Sequence, residues 1–101
     1  MRVIKRSVLL EFGEDHSQAR VPLAHWYHIV KEGKWERPAD VKRIFGNTVD
    51  FAANDRAVFD IKGNTYRLIA EINYRRQIVF IRFLGTHAEY DKVDAETVKL
   101  Y

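Results

Sequence analysis

A histidine late in the chain has neighbours that could carry out acid–base chemistry on a phosphodiester. His87 follows a strand-like run, in a segment where the chain leaves the predicted sheet, and Tyr90 and Asp91 come three and four residues after it. Imidazole can act as a base or an acid near neutral pH, and a tyrosine can stack on a nucleobase or donate a proton. A lone histidine in such a position is more often structural, so the cations around it matter.

Cationic side chains lie on the two predicted strands before this segment, as Arg67 and Arg82, and in the turn that precedes them, as Lys62. Metal-free cleavage of RNA needs a base for the 2′-hydroxyl, cations for the phosphorane and an acid for the leaving 5′-oxygen. The catalytic candidates are therefore His87, Arg67, Arg82 and Tyr90. The candidates for substrate binding are Lys62, Asn64, Arg75, Arg76 and Asp91.

A purely structural interpretation of the same residues has equal weight on spacing alone. Arg67 could pair with Glu71 or Asp60 on the sheet, while Tyr90 and Asp91 could cap the helical turn that follows the last strand. In that case the arginine and the carboxylates stabilise the fold and bind no substrate.

Metal and thiol chemistry find little support in the sequence. The chain has no cysteine, which excludes a disulfide framework, a thiolate metal site and a catalytic thiol. His25 and His28 are three residues apart on a predicted helix, but no Asp, Glu or Cys in that helix completes a zinc site. His16 is predicted to lie in a loop. We expect no metal and no other cofactor.

The charge distribution permits contact with a polyanion but does not establish it. The formal net charge is +3 and the pI about 9.3. From residue 56 to residue 82 the chain carries six basic and two acidic residues, whereas residues 83–101 carry two basic and four acidic ones. A solvated charged face explains such a cluster as readily as a binding surface does.

Length and composition predict one globular domain over residues 1–101, since 47% of the residues are hydrophobic and no linker or repeat is visible. The apolar run Val8-Leu9-Leu10 near the amino end is too short for a signal peptide or a spanning helix. We therefore expect a cytoplasmic protein without membrane contact.

The first half of the chain reads as a strand followed by helices. The strand is predicted over Met1 to Lys5, and Ser7 and Ser17 are possible N-caps of two helices. The second helix is predicted from about Ser17 to Lys31, and Gly33 can stop it. Leu23, Trp26, Tyr27 and Val30 form an apolar stripe on this second helix, in which Pro22 is an awkward early residue. A third helix is predicted from Pro38 to Phe45, ended by Gly46-Asn47.

The second half predicts three antiparallel strands in a meander, at residues 57–61, 66–73 and 78–84. Period-two alternation puts Tyr66, Leu68, Ala70 and Ile72 on one face, opposite Arg67, Ile69, Glu71 and Asn73. The same rule puts Val79, Ile81 and Phe83 on one face of the last strand, and Arg82 and Leu84 on the other. Because both faces carry apolar residues, the helices should cover one face and either a partner or the carboxy-terminal tail the other. The fold class is α+β.

Two segments carry a resemblance to a known family. The stretch from Phe59 to Leu68, with Gly63-Asn64-x-Tyr66-Arg67, and the stretch from Ile81 to Asp91, with Thr86-His87-x-x-Tyr90-Asp91, closely resemble HigB-type toxins of the RelE-like group. The similarity extends over the whole chain. It implies the RelE-like fold, in which an amino-terminal strand and two helices pack on an antiparallel sheet.

The resemblance also implies an activity and partners. RelE-like toxins of this type are mRNA interferases that cleave translated mRNA on the ribosome, and a cognate antitoxin with a helix-turn-helix neutralises them. Operator DNA would be bound only through that antitoxin. Arg67 matches the sheet arginine that holds phosphate in such enzymes, and His87 stands where the segment after the last strand supplies a basic catalytic residue. Tyr90 or Asp91 is a weaker match.

Two other functions remain open at this stage. A related toxin of the ParE type poisons DNA gyrase by binding and would need no imidazole beside an arginine pair. An inactive module that binds RNA or the antitoxin could also have kept the scaffold.

Overall fold

The computed structural model describes every residue from Met1 to Tyr101 and has an α+β architecture. None of its helices is long and apolar enough to cross a membrane. Two short 3₁₀ turns, Ser17–Ala19 and Gly46–Thr48, join larger elements. In chain order these elements are β1 Arg2–Ile4, α1 Ser7–Asp15, α2 Arg20–Glu32, α3 Pro38–Phe45, β2 Val49–Ala52, β3 Arg56–Ile61, β4 Tyr66–Asn73, β5 Ile78–Thr86 and α4 His87–Tyr90.

The strands form one five-stranded sheet in the order β1-β5-β4-β3-β2. The meander of β3, β4 and β5 is antiparallel, as the sequence predicts. β1 instead pairs in parallel with β5, Arg2 opposite Ile78, so the sheet is mixed rather than wholly antiparallel. β2 was missed, because its four residues are too few to show a clear alternation; it pairs antiparallel with β3 at the edge of the sheet.

Helices α1 and α2 pack on one face of the sheet, called here the helix face. Leu23, Trp26 and Val30 of the predicted stripe are buried there, and Tyr27 is partly buried beside them. The predicted inward set of β4 also faces this core: Tyr66, Leu68, Ala70 and Ile72. The periodicity of 3.6 in α2 and of two in β4 therefore identified the main core correctly.

A β-bulge in β5 overturns the face prediction for the end of that strand. Ile69 pairs with Phe83 but Ala70 pairs with Ile81, which leaves Arg82 as the extra residue. One extra residue shifts the alternation by one. Phe83 therefore lies on the side of the sheet away from the helices, called here the second face, and Leu84 joins the main core. The sequence-based assignment of Phe83 and Leu84 was wrong for this reason.

The carboxy-terminal segment, residues 93–101, covers part of the second face. Val93, Ala95 and Val98 pack there against Val58, Ile69 and Phe83. The Leu100 amide donates to the Arg82 carbonyl (2.9 Å), and the Asn54 side chain donates to the Glu96 carbonyl (3.0 Å). Of the two covers that the sequence allowed, the structure therefore shows the tail.

The helix ends differ in part from the prediction. Ser7 is the first helical residue of α1 rather than its cap, and Ser17 opens a 3₁₀ turn, with no side-chain cap at either site. Pro22 falls in the first turn of α2, where an amide has no intrahelical partner, so no hydrogen bond is lost. The predicted bounds of α3 are confirmed, with Gly46 at φ 58° after its last residue.

Candidate active site

Three segments meet at one end of the sheet: the β3–β4 turn, the start of β4 and the junction of β5 with α4. Thr86, the last residue of β5, lies opposite Tyr66, the first residue of β4. The His87 amide donates to the Thr65 carbonyl in the turn (3.2 Å). These backbone contacts fix the start of α4 against the turn, and with it the position of His87.

A capping box determines where α4 begins. The Glu89 amide donates to the Thr86 hydroxyl oxygen (3.2 Å), and the Thr86 amide donates to the Glu89 carboxylate (2.8 Å). Hydrogen bonding to the Thr86 backbone, and secondly to its side chain, lowers the pKa of Glu89. The pattern Thr-x-x-Glu is visible in the sequence, and it would have identified Glu89 as the residue that positions His87.

His87 and Asp91 form a pair across one turn. The imidazole Nδ1 lies 3.3 Å from the Asp91 Oδ2, and the His87 side chain is 42% exposed. The Tyr90 ring lies beside the imidazole, with centroids 6.4 Å apart. An accessible imidazole oriented by a carboxylate can exchange protons through its other ring nitrogen.

Arg67 is held on the second face of the sheet by side chains from three segments. Its Nη1 lies 2.6 Å from the Asp60 carboxylate, directly opposite on β3, in an ion pair without an aligned hydrogen bond. Its Nη2 donates to the Asn64 side-chain oxygen, and its guanidinium lies 5.5 Å from the centre of the Tyr90 ring. The structural interpretation is thus correct about the pairing of Arg67, and the partner is Asp60 rather than Glu71. The side chains that meet here form what is called here the His87 cluster: His87, Tyr90, Asp91, Arg67, Asn64 and Asp60. Asp60 was not among the predicted site residues.

Lys62 lies in the β3–β4 turn but reaches toward the helices. Its Nζ donates to the Gln18 side chain (2.5 Å) in the first 3₁₀ turn. Nearby, His16 stacks on Phe12 with centroids 4.0 Å apart and meets Tyr66 edge-on at 5.5 Å. The sequence placed His16 in a loop, and nothing in its local pattern indicated that it packs at this end of the sheet.

Arg82 does not join the His87 cluster. Its Nε donates to the Glu71 carboxylate (3.0 Å), and its Nη1 donates to the Tyr101 carbonyl (3.3 Å). Glu71 also pairs with buried Arg56 at 3.7 Å. Because Glu71 is four residues from Arg67 along β4, the two pairs are separated by about 13 Å.

Arg75 and Arg76 lie still farther away, in the β4–β5 turn at the opposite end of the sheet. Both are exposed, and neither forms an ion pair. The turn is tied down by the Asn73 side chain, which accepts from the Arg76 amide (3.0 Å), and by Gln77, which donates to the Tyr74 carbonyl (2.7 Å). The length of β4 puts about 23 Å between this turn and Arg67.

Comparison with known proteins identifies the family and several relatives. A family model described as HigB_toxin, RelE-like toxic component of a toxin-antitoxin system, matches residues 19–93. The mRNA interferase HigB of Escherichia coli O6:H1 strain CFT073 is 29% identical over 94 residues, which cover 92% of this chain and 91% of the relative. The mRNA interferase toxin HigB of Escherichia coli K12 and the mRNA interferase HigB of Shigella flexneri are each 28% identical over 92 residues, covering 90% of this chain and 88% of each relative.

The family match spans most of the chain, including β3, β4, β5 and all of α4. It therefore contains every residue of the His87 cluster. The chain belongs to the HigB family, the RelE-like toxic components of toxin–antitoxin systems.

Proposed function

We propose that this toxin is an mRNA interferase: an endoribonuclease that cuts mRNA during its translation on the ribosome, by attack of a 2′-hydroxyl on the adjacent phosphate. The observation that carries the proposal is the pairing of an accessible His87 with Asp91, next to Tyr90 and Arg67. The names of the curated relatives support the same activity.

His87 would be the main acid–base group. If Asp91 accepts a hydrogen bond from Nδ1–H, the Nε2 atom is free to take a proton from the 2′-hydroxyl or to return one to the leaving oxygen. Asp91 would also stabilise the imidazolium form. Tyr90, whose ring lies near both His87 and Arg67, would stack on a base or donate a proton.

Arg67 would stabilise the charge on the phosphorane. Its guanidinium is held by the side chains of Asp60 and Asn64. Asn64 is the easier of the two to displace, because it lies in the exposed β3–β4 turn. A phosphate oxygen could take the place of the Asn64 oxygen while Asp60 keeps the guanidinium in position. Lys62, exposed in the same turn, would attract the RNA backbone.

The other three predicted cations would act differently. Arg82, tied to Glu71 and the tail, would hold the fold rather than touch the reacting phosphate. Arg75 and Arg76 would contact RNA phosphates outside the cleaved nucleotide, since about 23 Å separates their turn from Arg67. No cofactor takes part in this proposal.

The partners follow from the same proposal. A toxin of this family requires an antitoxin, which we propose contains a helix-turn-helix and carries the toxin to operator DNA. Action on translated mRNA would put the free toxin on ribosomes in the cytoplasm.

Mapping of mRNA 5′ ends after induction, with and without blocked translation, tests the proposal. We expect new 5′ ends in frame with the codons, dependent on translation, and at least about 100-fold fewer of them for His87→Gln. His25→Gln, which alters an exposed histidine on α2, is the matched control and should cut like the unmodified toxin. Growth arrest without mRNA cleavage, accompanied by trapped gyrase–DNA complexes, would instead establish the gyrase-poisoning alternative.

A further inference from the structure

The outer surface of the helix layer contains a groove between α1 and α2 that no other part of the chain covers. Its volume is about 480 Å³. Both helices contribute residues at the same spacing of three and four. The lining is Arg6, Leu9, Leu10, Gly13 and Glu14 from the first helix and its cap, and Arg20, Leu23, Ala24, Tyr27 and His28 from the second.

Close contacts at the two ends give the groove its shape. Near the connection between the helices, the Arg20 side chain donates to the Gly13 carbonyl (2.9 Å), and a β-carbon on Gly13 would lie 2.9 Å from the Arg20 Cγ. At the other end the Arg6 guanidinium lies 4.3 Å from the centre of the Tyr27 ring. Between these contacts the floor is apolar, and Leu10 is 62% exposed.

The groove has the chemistry of a site for an amphipathic helix with acidic ends. On each side its lining spans nine residues, 6–14 and 20–28, or about 12 Å of helix, which matches two turns of a bound helix with anchors at i, i+3 or i+4, and i+7. Arg6 and Arg20 mark its two ends without forming an ion pair, and Glu14 is the single acidic residue of the lining. Cations at both ends of an apolar floor favour carboxylates at both ends of the ligand.

We propose that this groove binds an amphipathic helix of the antitoxin, whose apolar residues contact Leu10 and Ala24 and whose acidic residues meet Arg6 and Arg20. Membership in a toxin–antitoxin family supplies the partner, so the proposal does not depend on mRNA cleavage. The groove lies beyond the helix face of the sheet, whereas Arg67 lies on the second face. Binding in the groove would therefore leave the space in front of Arg67 free.

Calorimetric titration of the antitoxin encoded next to the toxin gene into purified toxin tests this binding, with His87→Gln as a common background so that the toxin can be expressed. We expect Leu10→Glu to weaken the affinity at least 10-fold, because it puts a carboxylate on the apolar floor. Arg6→Glu should weaken it as well, by repelling the acidic end of the helix. The matched control is Ile44→Glu on α3, which introduces the same charge at a leucine-sized residue that is 52% exposed and outside the groove.

Unfolding midpoints of the variants separate binding from folding. If Leu10→Glu is unstable, Ala24→Glu, at an exposed position of the same floor, replaces it. Unchanged antitoxin affinity in folded groove variants would overturn the proposal, and so would a loss confined to ribosome binding, which would make the groove a ribosomal contact. If the toxin with His87 intact cuts no mRNA while Leu10→Glu still lowers the antitoxin affinity, the interferase function is refuted and the groove proposal stands.

Discussion

Arg67 and Arg82 offer a comparison within one face of one sheet. Both lie on the second face, both side chains are 14% exposed, and both pair with a carboxylate from the neighbouring strand. Their other partners differ. Arg67 also contacts Asn64 and Tyr90, which come from a turn and from α4, whereas Arg82 donates to the backbone carbonyl of Tyr101.

The difference shows why exposure and residue type do not define a site. The Asn64 side chain comes from an exposed turn, and in the proposed function a phosphate takes its place beside Arg67. The Tyr101 carbonyl belongs to a segment that also covers the apolar cluster around Phe83, so a ligand would have to remove that cover to reach Arg82. The Arg67 end of the face is therefore suited to binding, and the Arg82 end is suited to stability.

Replacement of each arginine by alanine tests this contrast with the largest expected effect. Arg67→Ala should reduce mRNA cleavage at least about 100-fold, because it removes donors to the transition-state charge, and should leave the protein folded. Arg82→Ala should lower stability and leave the cleavage rate per folded molecule nearly unchanged. Cleavage assays in a translating extract, normalised to the folded fraction, measure both. Equal losses would mean that the two ends of the face share one function.

Arg56→Ala tests the stability end directly. The side chain is 6% exposed, pairs with Glu71 and donates to the carbonyls of Ala95 and Val98. Its loss should leave these acceptors unpaired and reduce the free energy of unfolding by about 2–4 kcal/mol. Arg43→Ala is the control, since that arginine is 79% exposed and its ion pair with Asp40 should contribute less than about 1 kcal/mol. Urea titrations that give equal changes for the two variants would contradict this assignment.

Arg75→Ala combined with Arg76→Ala extends the comparison to the far end of the sheet. If these exposed side chains contact RNA phosphates, ribosome affinity should fall by about 10-fold at low salt, and the slope of log affinity against log salt should decrease by about 2. Sedimentation with ribosomes over a salt series measures this slope. An unchanged slope would restrict RNA contact to the His87 end.

Thr86→Ala should have the smallest effect. Loss of the capping box should lower stability by about 1 kcal/mol. Part of this loss depends on pH, because the Thr86 side chain helps the Thr86 backbone to lower the pKa of Glu89 in the folded protein: that part is present above the unfolded value of 4.5 and is lost as the pH falls through the folded value. The hydrogen bond from the Glu89 amide to the Thr86 hydroxyl does not depend on the charge of Glu89. Unfolding curves of the two proteins should therefore differ more at pH 7 than in acid, without converging. A difference that is the same at every pH would mean that the threonine side chain does not influence Glu89.

The sequence predicted those features that depend on local periodicity. The α2 stripe, the inward residues of β4 and the bounds of α3 were correct because each element is long enough, or has strong enough end signals, for the pattern to show. β2 has four residues, and its pairing with β3 is decided by the sheet rather than by its own pattern. The parallel pairing of β1 likewise depends on a neighbour distant in the sequence.

The sequence indicated that three of the cluster residues lie together, but not which residues the two arginines contact. The spacing of His87, Tyr90 and Asp91 indicated that they belong together, and one helical turn brings them together. The choice of Asp60 over Glu71 as the partner of Arg67 depends on strand register. Arg82 stays outside the cluster because it donates to Glu71 and to the carboxy-terminal segment. No local sequence pattern assigns that segment to this face of the sheet.

The bulge at Arg82 also has a consequence for how β5 tolerates changes in length. Deletion of Arg82 alone would restore strict alternation and still leave Ile81 and Leu84 in the main core and Phe83 on the second face, although the contacts of Arg82 with Glu71 and the tail would be lost. Deletion of Ile81 instead would bring Arg82 to the inward position opposite Ala70. The strand should therefore tolerate the loss of one residue only at the bulge, even where no catalytic side chain is touched.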